Sequence, residues 1–479
     1  MRKVRFAAVF PSGYLWRIIP PFVIIGATWG AMTFQSGPAA YPVSANRAVV
    51  AYCLSLHYLF TDGIMKKIAI TFAGRKDRMA NQVKYMNEFL KAGVLDEWHI
   101  WNFSRNAHDN NWLINSFSKN SECYTSASLV NYLEIVNTVK TDFRISVKAA
   151  SDAHILLNLG ANEQVELVFG AFENSKSILR NFTNEPYALH KHPLFSVDAS
   201  LHEENNDIRL RITKGELVAV LNNATIFKYA TSADCINRIA IHTGYGSSGV
   251  WQYERENSKI KLIHANSRGY DGFKNCYRYY CASEFYDAIF VKMDDDIIYC
   301  DNENIDGFIK AVTKSNELAI WSANVLNNGV CAYFQKENGY YGDNKFDFEY
   351  PRKGLWGTLW ESAQLCAKLH QYFIENTSIV LQKARASTEL IVLPREDRFS
   401  TNFVAFKYPI MIMMALAYEL TKNNDDEHLM TVSLPALFGL KKYIVQKLIV
   451  SHLSFFKQDE SLRAAEIIDQ YAKQFYPSS

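Results

Sequence analysis

Short apolar runs alternate with helical patterns in the part of the chain that follows residue 64. The run Lys67–Phe72 is apolar and β-branched, which predicts a buried first strand, and it ends in a turn at Ala73-Gly74-Arg75. Apolar residues from Met79 to Ala92 recur at helical spacing, and Glu97–Phe103 has the pattern of a second strand. Strand, helix and strand in this order predict a parallel α/β sheet, whose ligand sites lie at the carboxyl ends of the strands.

Between about Leu133 and Glu254 the pattern changes to alternating apolar and polar positions with frequent turn residues. Segments such as FRISVKA, HILLNLG, VELVFGAF and IRLRIT have the period of two that is typical of half-buried strands, and a helical interpretation fails on this period. The segment 131–254 is therefore predicted to be an antiparallel β-sandwich of the jelly-roll type.

The strand-and-helix pattern returns from Lys259, and it includes the strand segments KIKLIHA and AIFVKMDDDIIYCD. Helices are predicted at Gly272–Glu284, Pro409–Leu420 and Leu462–Gln474. The predicted fold class is therefore α/β, with a mostly parallel sheet flanked by helices. The two segments 65–130 and 255–479 would form this discontinuous domain around the inserted sandwich, an arrangement that neighbouring domain termini make tolerable.

Composition narrows the class of protein. With 479 residues, 48% hydrophobic and 21% charged, the chain is globular rather than disordered, and its length suggests about two to four domains. A net charge of +2 without a long basic run argues against a nucleic-acid partner. The eight cysteines form no CxxC pair and no Cys/His zinc pattern, so we predict mostly buried free thiols and a reducing compartment.

The first 64 residues do not have the pattern of a folded domain. Arg17, Pro20 and Pro21 interrupt an apolar stretch from Tyr14 to Phe34, whereas a membrane-spanning helix needs about 20 apolar residues without such breaks. The alternatives are a poor signal anchor, an interfacial segment in peripheral contact with a membrane, and an extension outside the catalytic fold. We assign residues 1–64 to an N-terminal extension and predict a cytoplasmic protein, with membrane association left open.

Three consecutive carboxylates, Asp294, Asp295 and Asp296, follow an apolar strand. Mutual repulsion and desolvation make such a cluster costly unless a cation lies between the carboxylates. Mg²⁺ and Mn²⁺ take oxygen ligands and commonly bridge protein carboxylates to the phosphates of a substrate. In an extended chain, spacing by one residue places Asp294 and Asp296 on the same side, so both are predicted to hold the metal. A solvated acidic turn is the alternative.

This strand and its DxD sequence, together with the first strand and loop KIAITFAGR, resemble glycosyltransferases of the GT-A fold over about Met65–Cys123 and Asn257–Phe475. The resemblance implies a divalent cation that binds the diphosphate of a nucleotide-sugar as a Lewis acid. It also implies donor-binding residues at the strand ends. These candidates are Thr71, Ala73, Gly74, Arg75 and Asp77 after the first strand, Asn102, Arg105 and Asp109 after the second, and Asp295 in the acidic motif. An ordinary strand-to-helix turn is the alternative for the first group.

Two later segments, Asn424–His428 and Val450–Phe456, carry further candidates. The resemblance implies an acidic residue near the acceptor hydroxyl and a late histidine on the metal, so Asp426 or Glu427 is the candidate catalytic base and His452 the candidate third ligand. The alternatives are carboxylates at a helix N-terminus, where the helix dipole favours them, and a core histidine. Two other segments are predicted to be loops near the acceptor: Trp321–Val325 and Arg395–Arg398.

Three runs of the insert, Val147–Gly160, Val165–Arg180 and Ile239–Tyr253, resemble in this order the farnesoic acid O-methyltransferase-like domain. That domain has no glycine motif for a methyl donor, and neither does this segment, so methyl transfer is not inferred. The resemblance implies a β-sandwich of a kind that often binds glycans. The possible residues of a glycan site are Asp152, His154, Asn174, Arg180 and Trp251. Turn residues, strand ends and a core tryptophan are the alternative.

These patterns together predict an enzyme, a glycosyltransferase that moves a sugar from a nucleotide-sugar donor to a glycan or another hydroxyl acceptor with Mn²⁺ or Mg²⁺. Inversion and retention of configuration both stay open. Two other classes remain as alternatives. One is a metal-dependent nucleotidyltransferase, which would more typically carry a glycine-rich phosphate loop after the first strand. The other is a lectin-like glycan-binding protein with a degenerate α/β domain.

Overall fold

The computed structural model describes residues 65–476, apart from 118–120, 127–131, 137–139, 160–162, 183–192, 214, 245–246, 254–258, 266–269, 343–345, 352–356, 388–389 and 422. The predicted N-terminal extension, and with it the predicted membrane contact, lies outside the described residues. Within the described part of the chain, no helix combines the length and the apolar character needed to cross a membrane.

Along the chain, strands first alternate with helices, then strands follow one another, and the alternation of strands and helices then returns. As far as residue 126 the elements are β1 (Lys66–Ala73), α1 (Lys76–Ala92), β2 (Glu97–Asn102), α2 (Ala107–Phe117) and β3 (Ser121–Ser126). Strands follow, apart from a short turn at Ala171–Asn174: β4 (Leu133–Val136), β5 (Asp142–Ala149), β6 (Ala153–Asn158), β7 (Gln164–Gly170), β8 (Lys176–Asn181), β9 (Phe195–Val197), β10 (Asn206–Thr213), β11 (Glu216–Leu221), β12 (Ala224–Ala230), β13 (Arg238–Thr243) and β14 (Ser248–Tyr253).

The remaining elements again alternate between strands and helices. As far as residue 386 they are β15 (Ile260–Ala265), α3 (Tyr270–Tyr279), β16 (Ala288–Asp294), β17 (Ile297–Cys300), α4 (Ile305–Lys314), β18 (Ala319–Leu326), α5 (Gly329–Glu337), α6 (Thr358–Glu361), α7 (Ala363–Glu375) and α8 (Thr377–Ala386). The last are β19 (Leu390–Val392), β20 (Phe403–Lys407), α9 (Tyr408–Thr421), α10 (Asp426–His428), α11 (Leu434–Phe438), β21 (Lys441–His452) and α12 (Ala464–Phe475).

Internal contacts divide the described chain into two compact units. The first unit comprises residues 65–70, 77–96 and 276–476, and the second comprises residues 71–76 and 97–275. Each unit is discontinuous in sequence, and β1 begins in the first unit and ends in the second.

The first unit contains a mixed sheet. Its strands β16, β20, β18, β21 and β17 are neighbours in this order. β18 and β21 are parallel, whereas β20 is antiparallel to both β16 and β18, and β17 is antiparallel to β21. The mostly parallel sheet expected from the sequence is therefore not found among these strands. A fully apolar run predicts that a strand is covered on both faces, but it does not encode the direction of the neighbouring strand.

Helices cover this sheet as the sequence pattern predicts. β18 and β20 are buried along their whole length, which requires cover on both faces, and α9 is buried from Tyr408 to Tyr418. Trp321–Val325, predicted to be a loop, lies inside β18 because its apolar residues belong to this buried strand. Arg395–Arg398 does lie in a loop, between β19 and β20.

The second unit contains an antiparallel β-sandwich. One sheet has the strand order β12, β11, β10, β5, β14 and β3, and the other has β4, β13, β6, β7, β8 and β9. Buried side chains from both sheets form one core, with Phe143, Leu210 and Trp251 from the first sheet and Ile155 and Leu167 from the second. The predicted antiparallel sandwich is therefore present.

The sandwich includes residues that precede the predicted boundary at residue 131. β3 (Ser121–Ser126) pairs antiparallel with β14, which makes it a strand of the sandwich sheet. On its other side β3 runs parallel to β15, and β15 runs parallel to β2. The six residues of β3 are too few for their alternation to separate them from the preceding helix in the sequence, so only the pairing assigns them.

The cysteines agree with the sequence pattern where the structure describes them. Cys123, Cys235, Cys276, Cys281, Cys300, Cys331 and Cys366 are free, and all but the partly exposed Cys235 are buried. The six buried thiols therefore behave as small apolar core groups. The predicted cytoplasmic location stays a prediction.

Candidate functional site

The acidic motif forms a turn between two buried strands. β16 ends at Asp294, the turn contains Asp295 and Asp296, and β17 begins at Ile297. The two outer carboxylates therefore come together through a turn, and not through the extended alternation inferred from their spacing. Asp295 and Asp296 are buried, whereas the Asp294 side chain is 32% exposed.

Helix α1 holds this turn through polar side chains on its buried face. Arg78 donates from Nη1 to Oδ2 of Asp296 at 3.1 Å. Gln82 donates to the last carbonyl of β16 at 3.0 Å, and the Tyr85 hydroxyl donates to the first carbonyl of β17 at 3.0 Å. The spacing of four and three residues places these groups on one face of the helix, so α1 fixes the position of both strand ends.

Strand pairing brings His452 to the same turn. His452 is the last residue of β21, and it lies opposite Ile297 in the antiparallel pair of β21 and β17. The next residue, Leu453, donates its backbone N–H to the Asp296 carbonyl at 2.9 Å. As a result, His452 Nε2 lies 3.3 Å from Asp296 Oδ1.

Asp294, Asp296 and His452 each offer one ligand atom, and these three atoms all lie within 4.8 Å of one another. In the described part of the chain, this is the one group of three or more His, Cys, Asp or Glu residues with such a geometry. Bonds from a divalent cation to oxygen and nitrogen ligands are about 2.1 Å long, so three ligand atoms at this spacing could be drawn onto one ion. Two carboxylates and an imidazole therefore fit a divalent ion after a small side-chain adjustment.

The electrostatics of the turn show the cost of clustering these carboxylates. Burial raises the pKa of Asp294 to about 6, against the influence of the Lys292 ammonium, and the neighbouring Asp296 carboxylate adds to the rise. Asn402 donates to Asp294 Oδ2 at 3.0 Å, which favours the ionised form. A cation between the carboxylates would offset the remaining cost.

Lys292 connects the acidic turn with the segment predicted to hold the base. Its Nζ lies 3.8 Å from Asp294 Oδ1 and 3.5 Å from Asp426 Oδ2. The Tyr277 hydroxyl also donates to Asp426, at 3.3 Å. Burial disfavours the Lys292 ammonium, but the charges of the two aspartates outweigh burial and raise its pKa. Asp294 and Asp426 therefore both lie within 4 Å of the buried Lys292 ammonium.

Glu427 lies close to the same turn in a different environment. Arg398 donates from Nε to Glu427 at 2.8 Å, and the backbone N–H of Thr401 points at its other oxygen at 3.4 Å. Burial raises the pKa of Glu427 to about 7 in spite of the Arg398 charge, and the nearby Asp426 adds to the rise. The next residue after Thr401 is Asn402, which binds Asp294. A short loop thus joins the two acidic positions.

The predicted helix N-terminus at this segment is also present. Asp425 caps the short helix α10, since its carboxylate accepts the His428 backbone N–H at 3.0 Å. The same carboxylate pairs with Arg398 at 2.9 Å. Asp425 therefore has a structural role as the helix cap, whereas Asp426 contacts Lys292 and Glu427 contacts Arg398.

The predicted donor-binding residues after the first two strands contact each other within the second unit. The Ala73 carbonyl accepts the Phe103 N–H at 2.8 Å, and Asp109 Oδ1 accepts the Lys76 N–H at 3.1 Å. The Thr71 hydroxyl accepts a hydrogen bond from Trp98 Nε1 at 3.0 Å. Thr71, Ala73 and Asp109 thus hold the two loops together, which accounts for these three residues structurally.

The other donor candidates differ in exposure. Asn102 is buried and donates to Asn110 Oδ1 at 2.8 Å, whereas Arg105 is exposed on the same loop. Gly74 and Arg75 are half-buried, and Asp77 is exposed in the first turn of α1. A role for these residues in binding a nucleotide stays a prediction.

Three of the residues predicted for a glycan site in the sandwich have structural roles. Trp251 is fully buried in the core between the sheets, and its Nε1 donates to the Thr125 hydroxyl at 2.8 Å. Asn174 exchanges two hydrogen bonds with the Leu201 backbone, at 2.8 and 2.7 Å. Asp152 is buried and has a φ of +52°. Its backbone N–H donates to the Gly170 carbonyl and its carbonyl accepts the Gly244 N–H, both at 3.0 Å.

The remaining two, His154 and Arg180, bind one buried carboxylate. Glu166 accepts from His154 Nδ1 at 2.6 Å, from Arg180 Nε at 2.5 Å, and from the Tyr132 hydroxyl. Burial opposes ionisation of Glu166, but the hydrogen bond and charge of His154, with the bonds from Arg180 and Tyr132, lower its pKa to about 2. These residues form a buried ion cluster on the sheet that contains β6, β7 and β8.

Several residues that surround the acidic turn and the base candidates were not identified from the sequence. Arg78, Lys292, Arg398 and Asn402 all contact the predicted metal ligands or base candidates. For Arg78 a signal exists in the sequence, because Arg78, Gln82 and Tyr85 follow one another at helical spacing on the side of the helix that also carries its apolar residues. Lys292 interrupts an otherwise apolar strand, which is a second usable signal.

Comparison with known proteins gives a family for one part of the chain. Residues 122–257 match the model of the family described as "Farnesoic acid 0-methyl transferase". This range agrees with the sandwich from β3 to β14 and with the resemblance found in the sequence. The family description names a transferase, and the match covers the sandwich only. No curated protein matches the chain.

Solved structures give weak likenesses. A carbohydrate-binding module CBM66 from Bacillus subtilis has 7% identity and a TM-score of 0.20, over 27% of this chain and 92% of that chain. Sheep galectin-11 in complex with glycerol has 8% identity and a TM-score of 0.18, over 26% and 99%. A β-glucanase from Bacillus licheniformis has 10% identity and a TM-score of 0.18, over 26% and 69%. Scores of this size carry no argument. What the comparisons show is that residues 122–257 are similar to the family described as "Farnesoic acid 0-methyl transferase".

Proposed function

We propose that the protein is a glycosyltransferase that uses a divalent cation to bind a nucleotide-sugar. The observation that carries this proposal is the group of Asp294, Asp296 and His452, whose ligand atoms lie within 4.8 Å of one another beside the end of β16. The carboxyl end of a buried strand in an α/β sheet is a usual position for a ligand site. The resemblance of the acidic motif to GT-A glycosyltransferases agrees with this position.

Of the two predicted ions, the ligand set favours Mn²⁺ over Mg²⁺. Mg²⁺ prefers oxygen ligands at short and nearly octahedral distances, whereas Mn²⁺ takes carboxylates and, as a transition metal, also accepts a nitrogen ligand. The partly exposed Asp294 leaves one side of the group open to a substrate phosphate. The cation, when bound, neutralises the charge that develops on the leaving nucleoside diphosphate.

Glu427 is the stronger of the two candidates for the catalytic base. A base works best when its pKa lies close to the working pH, and burial raises the pKa of Glu427 to about 7. Asp426 is instead bound to Lys292 and Tyr277, so its carboxylate holds the buried ammonium in place. We therefore assign proton removal from the acceptor hydroxyl to Glu427 and a positioning role to Asp426.

This assignment predicts a pH dependence. Because a base must be ionised, and because the folded-state pKa of Glu427 is raised from 4.5 to about 7, the rate of sugar transfer should rise with pH through about 7 and then level off. Glu427→Gln should lower kcat by roughly 10²–10⁴-fold and remove this rise. The measurement is the initial rate of nucleotide-sugar turnover between pH 5 and pH 9.

Glu317→Gln is the matched control, because Glu317 belongs to the same unit and lies exposed beside Lys441. It should retain the wild-type rate and pH profile. If Glu427→Gln keeps the rise near pH 7, the titrating group is a different residue, and the assignment of Glu427 as the base is wrong.

Donor binding tests the proposed function directly. A ligand that binds only the native state raises the melting temperature, and saturation at 100 times Kd stabilises by about 2.7 kcal/mol. We expect one member of a panel of UDP-, GDP-, CMP- and dTDP-sugars to raise the melting temperature in the presence of Mn²⁺ but not in EDTA. The same donor should be hydrolysed or transferred slowly under these conditions.

Stabilisation by a nucleoside triphosphate with release of pyrophosphate, and no effect of any nucleotide-sugar, would identify a nucleotidyltransferase instead. If neither the nucleotide-sugars nor the nucleoside triphosphates shift the melting temperature in a metal-dependent way, the proposed metal site is refuted.

A further inference from the structure

The outer face of the sandwich sheet formed by β5, β10, β11 and β14 carries an open cleft of about 660 Å³. This volume falls within the range of about 300–1,000 Å³ that ligand pockets occupy. Ile145 and Leu210 point into the core, so the alternation along β5 and β10 leaves Arg144, Asp207 and Arg209 on the outer face. All residues that line the cleft belong to the second unit.

Two arginines of this face are already paired. Arg209 donates from Nε to Asp142 at 2.8 Å, and Arg211 Nη2 lies 3.6 Å from the same carboxylate. The hydrogen bond from Arg209, helped by the charge of Arg211, lowers the pKa of Asp142. The pairing register places Arg211 opposite Asp142 and Arg209 opposite Arg144. Arg144 is therefore the guanidinium that remains available.

Unpaired donors and acceptors lie side by side in this cleft. Among the residues that the structure describes, neither the Arg144 guanidinium nor the Asp207 carboxylate makes a hydrogen bond or ion pair. Gln252 donates to Glu122 at 2.9 Å, but its Oε1 is closed to water and has no partner in the described chain. Gln252 and Asp207 flank Ser146 from the two neighbouring strands, so these groups form one row across the sheet.

This arrangement has the chemistry of a site for a neutral polyhydroxylated ligand. A hydroxyl group both donates and accepts, and neighbouring hydroxyls of one ligand can therefore bind the Arg144 donors and the Asp207 acceptor. Asp207 in the cleft, and Asp142 paired with Arg209 beside it, offset two of the three arginine charges of this face, so the cleft is not a strongly basic site of the kind that a polyanion needs. Val218 and Val220 add a partly exposed apolar strip on β11, suited to the C–H face of a sugar ring.

Its dimensions fit a chain of sugars rather than a single ring. Neighbouring strands lie about 4.8 Å apart, so the distance from β14 to β11 across three strand spacings is about 14 Å. We propose that this cleft is an oligosaccharide-binding site, in which the exposed Arg144 and Asp207 bind hydroxyl groups. The site does not depend on the proposed transferase activity, and within that activity it would hold a glycan acceptor.

The test uses the full-length protein in EDTA, with cellohexaose, laminarihexaose and mannohexaose as neutral probes in calorimetric titrations up to millimolar concentration. We expect at least one of them to bind. Arg144→Gln and Asp207→Asn, both at exposed positions that tolerate substitution, should each weaken this binding about tenfold or more, because each removes a charged hydrogen-bonding group.

Arg238→Gln is the matched control, since Arg238 is a 58% exposed arginine on β13 of the other sheet, and it should bind like the wild type. Asp294→Asn should also bind normally, which separates this site from the proposed metal centre. The inference is overturned if no neutral probe binds, if binding is confined to trigalacturonate or oligothymidine, or if the Arg144 and Asp207 variants bind as well as the wild type.

Discussion

Asp294→Asn should lower kcat/KM for Mn²⁺-dependent turnover of the nucleotide-sugar by roughly 10²–10³-fold, the range found when one group that stabilises developing charge is removed. Asparagine keeps the size of the side chain and can still accept the hydrogen bond that Asn402 donates at 3.0 Å. The variant therefore loses the negative charge and little else. The measurement is the initial rate as a function of Mn²⁺ concentration, together with the melting temperature of the metal-free protein, which should change little.

Asp306→Asn provides the matched control. Asp306 lies on α4, is 47% exposed, and within the described part of the chain it pairs only with Lys310, one helical turn away. This variant should keep the wild-type rate and the wild-type requirement for Mn²⁺. Equal rates for Asp294→Asn and Asp306→Asn would mean that the metal is not bound at the acidic turn.

The second large effect concerns stability. Arg78 is 9% exposed, and besides Asp296 it binds Asp459 and the Ser454 hydroxyl, both at 2.9 Å. Arg78→Met preserves most of the side-chain length but leaves the buried Asp296 carboxylate without this partner. Breaking a buried ion pair from one side costs about 3–5 kcal/mol, so the free energy of unfolding should fall by this amount. Urea denaturation of the metal-free protein measures it.

A surface arginine gives the comparison. Arg463→Met removes a side chain that is 81% exposed and 3.5 Å from Glu466, so its cost should stay below about 0.5 kcal/mol. The double variant Arg78→Met/Asp296→Asn should recover part of the loss, because the unpaired charge is then removed as well. If Arg78→Met is no more destabilising than Arg463→Met, Arg78 is not the group that neutralises Asp296.

Much of the local structure follows from the sequence alone. The predicted helices at Met79–Ala92, Pro409–Leu420 and Leu462–Gln474 correspond to α1, α9 and α12, and the alternating region corresponds to the sandwich strands. These elements are predictable because their period follows from which side chains must be buried. The grouping of Asp294 and Asp296 was also expected, although the turn, and not an extended strand, brings them together.

The partners of the site were less predictable. Lys292 and Arg398 contact Asp426 and Glu427 across separations of 134 and 29 residues. No local pattern encodes such contacts, because they depend on which strands become neighbours. The same reason explains why β3 was placed outside the sandwich, since only its pairing with β14 assigns it there.

The residues of the cleft on the sandwich were also only partly predictable from the sequence. The alternation along β5 and β10 specifies that Arg144 and Asp207 face outward, but it does not specify that Gln252 from β14 lies in the same row. The sequence instead drew attention to His154 and Arg180, which are polar but buried around Glu166.

By itself, the sequence determined the first strand and helix, the late helices α9 and α12, the presence of the inserted sandwich, and the acidic motif, because each is encoded within a few neighbouring residues. The tertiary structure decided that β20 runs antiparallel, that His452 lies beside Asp296, and that Arg78 and Lys292 balance the charge of the turn. The physical reason is that strand direction, ion pairing and burial depend on contacts between distant segments, which a pattern of local periods does not contain.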